Sequence, residues 1–126
     1  MATVNIFKYA EKVENFAPGE TIFEEGDLAD YLYVVQEGEV DVFLQGRLVE
    51  TVGPGGVIGE MALIDNEPRS AMVVARTRCR LVPIDEKGFK VYVHHTPNFA
   101  LQVMRVMAAR LRRKNEQVWS EPARAA

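Results

Sequence analysis

The chain has 126 residues, 48% of them hydrophobic and 26% charged, which supplies one core and falls short of two ordinary domains. Its formal net charge of −3 gives no general attraction for nucleic acid, and no apolar run approaches the ~18 residues of a membrane span. The N-terminal stretch "MATVNIFKYAEKVENF" carries acids and no apolar secretory segment, so the cytoplasm is the expected compartment. The one cysteine, Cys79, lacks a partner for an internal disulfide and sits in the apolar run "CRLVPI" as a small buried side chain would. His94 and His95 are adjacent, so a helix would point them apart, and no cysteine lies near them to complete a metal site. No serine or cysteine stands in a nucleophile motif with a base. Neither an enzyme nor a bound cofactor is therefore expected.

In chain order, Ile6, Phe7, Ala10 and Val13 have helical spacing after an Asn5 cap, which predicts a helical segment within residues 1–15. From Phe16 to Ile84 the texture changes to short β-rich runs, "ETIFE", "YLYVVQ", "EVDVFL", "RLVETV", "SAMVVA" and "CRLVPI", punctuated by glycine and proline. Short strands at this spacing belong to a sandwich or barrel, so residues 16–84 read as one β-rich unit. "FLQGRLV" predicts a hairpin turning at Gly46, and "VQEGEVDV" a tighter one at Gly38. Helix returns over 85–119. Asp85 would cap a short turn carrying Phe89, Tyr92 and Val93; Thr96 and Pro97 then open a helix, which runs uninterrupted to Val118.

Two apolar faces can be counted on that last helix. Phe99, Val103 and Val106 form a stripe for packing on the barrel, while Leu101, Met104, Ala108, Leu111, Asn115 and Val118 alternate in steps of three and four. The second set reads as a heptad seam for a homodimer, with further barrel core as the alternative. Arg105, Arg110, Arg112, Arg113 and Lys114 read as a solvated face.

The segment that carries chemistry is "IGEMALIDNEPRSAM", residues 58–72. Glycines and small residues let the backbone turn tightly and present N–H groups to one point, a general means of holding an anionic oxygen. Glu60 would accept from a sugar hydroxyl, Arg69 would offer a fork of donors to a phosphate, and Ser70 adds a hydroxyl beside it. The bland alternative is a surface ion pair between Glu60 and Arg69 that braces a loop. On the functional reading Arg69 waits for an external anion and needs no internal partner, so its loss would leave folding almost unchanged.

The order "FAPGETIFEEGDLADYLYVVQEGEVDVF", then "GEMALIDNEPRSAMVVA", then a long terminal helix resembles the cyclic nucleotide-binding domain shared by bacterial catabolite activators and the regulatory subunits of cAMP-dependent kinase. The resemblance covers nearly the whole chain. It implies a mainly β fold, a double-stranded β-helix or jelly roll flanked by helices with a long C-terminal one, as a single domain over 1–126. Its phosphate-binding cassette is matched by Gly59, Glu60, Met61, Ala62, Leu63, Arg69, Ser70 and Ala71. By that likeness Glu60 would take the ribose 2′-hydroxyl, Arg69 the exocyclic phosphate oxygens, and the amides near Gly59, Met61, Ala62 and Ala71 would complete the cradle. Ser70 would reach the phosphate or a syn guanine.

Met72 departs from the threonine of the kinase type and the aromatic of the activator type. Lys114 and Asn115 fall near the positions that face the base, and Asn115 would meet either a base edge or the helix seam. The expected ligand is cAMP, with cGMP second. The activators continue into a helix-turn-helix and this sequence adds only "WSEPARAA" after Val118, so a stand-alone sensor without DNA or membrane contact, or else an excised piece of a longer chain, is expected, its effector unknown. The competing readings are a ligand-independent dimerisation or interaction module on the same fold, and a metal-binding cupin-type enzyme, which the two histidines cannot furnish.

Overall fold

The computed structural model describes residue 7 and residues 10–119, the last six as helix backbone only. Eight strands come first: β1 (Glu14–Phe16), β2 (Thr21–Phe23), β3 (Leu32–Glu37), β4 (Val40–Leu44), β5 (Arg47–Val52), β6 (Val57–Ile58), β7 (Met72–Ala75) and β8 (Cys79–Ile84). A 3-10 helix, Glu60–Leu63, interrupts them after β6, and two helices, α1 (Glu86–His95) and α2 (Asn98–Trp119), follow β8. The strands form two antiparallel four-stranded sheets, ordered β1-β8-β3-β6 and β2-β7-β4-β5. This is the jelly roll expected from the sequence, with its helices at the C-terminal end.

The two longest apolar runs are explained by burial on both faces, because strands covered on both sides lose the usual in-out alternation. In β3, Tyr33 and Val35 point between the sheets, where they meet Phe23, Val73 and Leu81. Their neighbours Leu32 and Val34 point the other way, onto Phe99, Val103 and Val106 of α2. β8 repeats the arrangement, with Leu81 in the inter-sheet cluster and Val82 and Ile84 under the helices. The stripe counted on the last helix is the one that docks.

Two expectations about local structure are corrected. Residues 14–16 are strand β1 and residues 10–13 are irregular, so the helical reading of 1–15 fails where the chain is described; residues 1–6, 8 and 9 lie outside the described residues. The apolar residues Phe7, Ala10 and Val13 still pack on the helical core, and they do so from a loop. Secondly, Gly38 does not turn a hairpin. β3 and β4 belong to different sheets, and Gly38 carries the chain between them at φ 87, with its Cα hydrogens facing the Arg78 carbonyl. Glycine at a crossing and glycine at a hairpin carry the same sequence signal. The β4–β5 hairpin is as read, with Gln45 and Gly46 both at positive φ, the backbone of a type I′ turn.

Asp85 caps α1 by accepting from the Gly88 amide at 2.7 Å. The helical layer is then closed by aromatic rings: Phe99 meets Phe7, Phe89 and Tyr92 at centroid distances of 5.4, 5.2 and 5.9 Å. Phe99 is fully buried. Phe99→Ala is expected to lower unfolding free energy by about 3–5 kcal/mol in urea titrations, whereas Val91→Ala, on the exposed face of α1, should stay within ~0.5 kcal/mol of wild type.

Candidate ligand-binding site

The cassette runs from β6 in one sheet to β7 in the other, so the segment between them has to cross the mouth of the barrel. It leaves β6 through Gly59, at φ 71, where an added Cβ would strike the Arg69 guanidinium. Glycine is required there on both counts. The far end is pinned by a reciprocal pair: the Arg69 amide donates to the Asp27 carbonyl and the Gly26 amide donates to the Arg69 carbonyl, both at 2.8 Å. A cleft of about 360 Å³ opens beside this loop. Gly59, Glu60, Met61, Ala62, Arg69, Ser70 and Ala71 all line it, so the structure brings together every cassette residue assigned to the cradle from the sequence. The side chains of Asn115 and Val118 lie outside the described residues.

Arg69 is only 7% exposed. Its guanidinium lies over the Phe23 ring, 4.1 Å from the centroid, and donates to the Tyr31 carbonyl at 2.6 Å and the Gly59 carbonyl at 3.2 Å. This overturns the expectation that Arg69 lacks internal partners. Nε makes no hydrogen bond, and among the described residues no carboxylate pairs with the group. Burial pushes its pKa down from the usual arginine value, against weaker opposing effects of Tyr33, Asp30, Asp27 and Glu60. A buried cation held at contact distance by carbonyl dipoles and an aromatic face, with its nearest acids too far to pair, attracts an anion.

Glu60 does not brace Arg69. It is paired with Arg110 of α2, whose Nη1 donates to Glu60 Oε1 at 2.8 Å while Nε donates to Glu50 Oε1 of β5 at 3.1 Å. Arg110 also donates to the Val57 carbonyl. Burial alone would lower its pKa, but Glu60 and Glu50 outweigh that and hold it above the usual value. The solvated-face reading of the basic residues thus fails for Arg110. A sequence signal was present: Arg110 continues the stripe Phe99, Val103, Val106 by a step of four, on the face that meets the barrel. Glu50 and Arg113 also line the cleft; Glu50 was not singled out from the sequence, and Arg113 was counted in the solvated face. Of the cradle amides, that of Ala62 already donates to the Gly59 carbonyl at 3.1 Å, while Ser70 is exposed. Among the described residues no group of three His, Cys, Asp or Glu side chains would hold a metal ion.

A two-sheet roll whose crossing loop holds a buried arginine at a cleft has the architecture of a small-ligand module, with a charge that suits an anion. The family model described as Cyclic nucleotide-binding domain matches residues 13–95, and the chain belongs to that family. Among curated relatives, the cAMP-dependent protein kinase regulatory subunit of Eremothecium gossypii is 46% identical over 72 residues, 57% of this chain and 16% of the relative's length. Among solved structures, the Thermus thermophilus catabolite activator protein superposes with a TM-score of 0.74 at 30% identity, over 84% of this chain and 53% of that one. The cAMP-bound form of the EAL enzyme Bd1971 gives 0.61 at 32% identity, over 85% of this chain and 30% of that one, and its cGMP-bound form gives 0.62.

Because Arg69 satisfies two backbone carbonyls, Arg69→Ala should cost stability as well as ligand. Each acceptor left unpaired costs up to about 1–3 kcal/mol, less where part-burial lets water in, read as a lowered urea midpoint in the absence of nucleotide. An unchanged midpoint would mean that the carbonyls find water.

Proposed function

We propose that the chain binds a cyclic purine mononucleotide, cAMP at least as well as cGMP, as a non-enzymatic regulatory module. The observation that carries the reading is the buried Arg69 guanidinium, which faces a cleft and forms no salt bridge with any carboxylate among the described residues. A cyclic phosphate has one negative charge and two exocyclic oxygens, and Arg69 has used only two of its five N–H donors on carbonyls. Glu60 retains Oε2 for a ribose hydroxyl while Arg110 holds Oε1. The 46% identity to a cAMP-dependent kinase regulatory subunit supports the adenine choice. No resident cofactor or metal enters this reading; the nucleotide is a ligand that leaves unchanged. A reducing, cytoplasmic setting suits the single buried thiol.

Assembly through α2 belongs to the same reading. Leu101, Met104 and Leu111 are 43%, 55% and 61% exposed, on the face opposite the docking stripe, and Ala108 is exposed between them. Apolar side chains repeating at heptad spacing on one helix suit a second copy of the same helix. The alternative of further barrel core is contradicted by these exposures. Leu111→Asp is expected to convert the dimer to monomer by sedimentation at micromolar concentration, and a wild type that sediments as monomer with and without nucleotide would remove the dimer reading.

A ligand-independent interaction module is the competing reading, and one observation favours it: Glu60 and Arg69 both have internal partners already. Calorimetric titration with cAMP and cGMP separates the two. Saturable binding is expected, weakened about 30-fold or more by Arg69→Ala where the variant is still folded, equivalent to ~2 kcal/mol. Glu60→Ala should weaken it less, because its partner is a neutral hydroxyl. Absence of binding to either nucleotide would leave the interaction module.

A further inference from the structure

We infer that Glu50 selects the base, and that it does so by accepting a hydrogen bond from the 6-amino group of adenine; the inference rests on the cyclic-nucleotide reading of the cleft. Once phosphate is fixed at Arg69 and ribose at Glu60, the base has to extend along the remaining wall. Glu50 stands on that wall, one guanidinium beyond Glu60, since Arg110 bridges the two carboxylates. Its carboxylate is half-buried, with 18% of the side chain exposed, so it is shielded enough to discriminate and open enough to be reached.

The neighbouring donors matter equally. Arg113 lies 3.8 Å from Glu50 Oε2, lines the same cleft and keeps 45% of its side chain exposed, so most of its N–H groups are uncommitted. Arginines alone would favour guanine, whose N7 and O6 are two adjacent acceptors for one guanidinium. A carboxylate beside an arginine presents an acceptor next to a donor instead. That is the pattern a carboxamide presents to adenine, whose N6 amino group donates and whose N7 accepts. Against guanine the same carboxylate meets the lone pairs of O6. Glu50 therefore turns a wall of arginines from guanine-reading to adenine-reading.

The test uses the whole chain and three cyclic nucleotides. Replacing the 6-amino group by a 6-oxo group, cAMP to cyclic inosine monophosphate, should weaken binding to wild type at least about tenfold, within the range of one well-formed base contact. Glu50→Met removes the acceptor at similar size, and should lower the ratio of cAMP to cGMP affinity at least about tenfold. Glu50→Gln keeps a carbonyl oxygen and should hold that ratio within about threefold of wild type, although it loses the charge that steadies Arg110. A role confined to anchoring Arg110 would weaken both nucleotides alike in both variants, leaving the ratio fixed, and would overturn the inference. Equal wild-type affinity for the inosine and adenosine nucleotides would overturn it without any variant, should Glu50→Met fail to fold. Binding of none of the three nucleotides would overturn it together with the nucleotide reading, whereas tight binding with an unmoved ratio removes this inference alone.

Discussion

A guanidinium taken out of water with no salt-bridged carboxylate among the described residues is the constraint on which the cleft depends. Arg69 is held by the Tyr31 and Gly59 carbonyls and by the face of Phe23, so its position is a property of three separate chain segments. Each must be in place for the group to be solvated at all, because a carbonyl dipole or aromatic face offers only part of what water gives a cation. This explains why Gly59 has no side chain and why the loop is tied to Gly26 and Asp27 through the backbone of Arg69 itself. The guanidinium and its supports are one object. An anion entering the cleft would complete the solvation of a charge that the fold has already paid to bury.

The second cation acts differently. Arg110 is surrounded by acids and is neutralised within the protein, and its partners come from β5, β6 and the 3-10 helix, while it is itself part of α2. Buried ion pairs of this kind add little net stability against an apolar alternative, but they fix geometry, since removing one partner strands the others. Beyond the apolar docking stripe, Arg110 ties α2 to the cleft wall. The same side chain thereby sets the orientation of Glu60 and Glu50, two of the carboxylates that line the cleft.

Most of the fold was legible in the sequence, for a specific reason. Short β-branched runs between glycines identify β2 to β5, β7 and β8, because strand propensity and turn chemistry agree there. β1 and β6 were missed: "ENF" and "VI" are too short to carry a period, and pairing with β8 and β3 makes them strands. Gly38 was misassigned because a positive φ says that the chain turns and not which sheet it enters next. At the site, the cassette residues were found from their chemistry and from resemblance, both of which concern residues close in sequence. Glu50, Arg110 and Arg113 come from a strand and a helix, and only the fold brings them to Glu60. Arg69 lines the cleft, but it was read incorrectly as a group without internal partners, since carbonyl acceptors leave no trace in a sequence.

The two-sided burial of β3 has a consequence for how the chain finds its register. In a strand with one wet face, a slip of one residue exposes the whole apolar set, and water enforces the pairing. "LYVV" offers no such contrast, because Leu32 and Val34 would be as apolar between the sheets as Tyr33 and Val35. The pairing is punctuated instead where the strand ends. The register with β8 shifts between Val35 and Glu37, and Gln36, set out of the ladder there, donates from Nε2 to the carbonyls of Phe7 and Ala10 at 3.0 and 2.8 Å. A single amide side chain thus acts as an index mark for a strand whose own hydrophobicity is blind to alignment, and it does so by gripping a segment that arrives from the beginning of the chain.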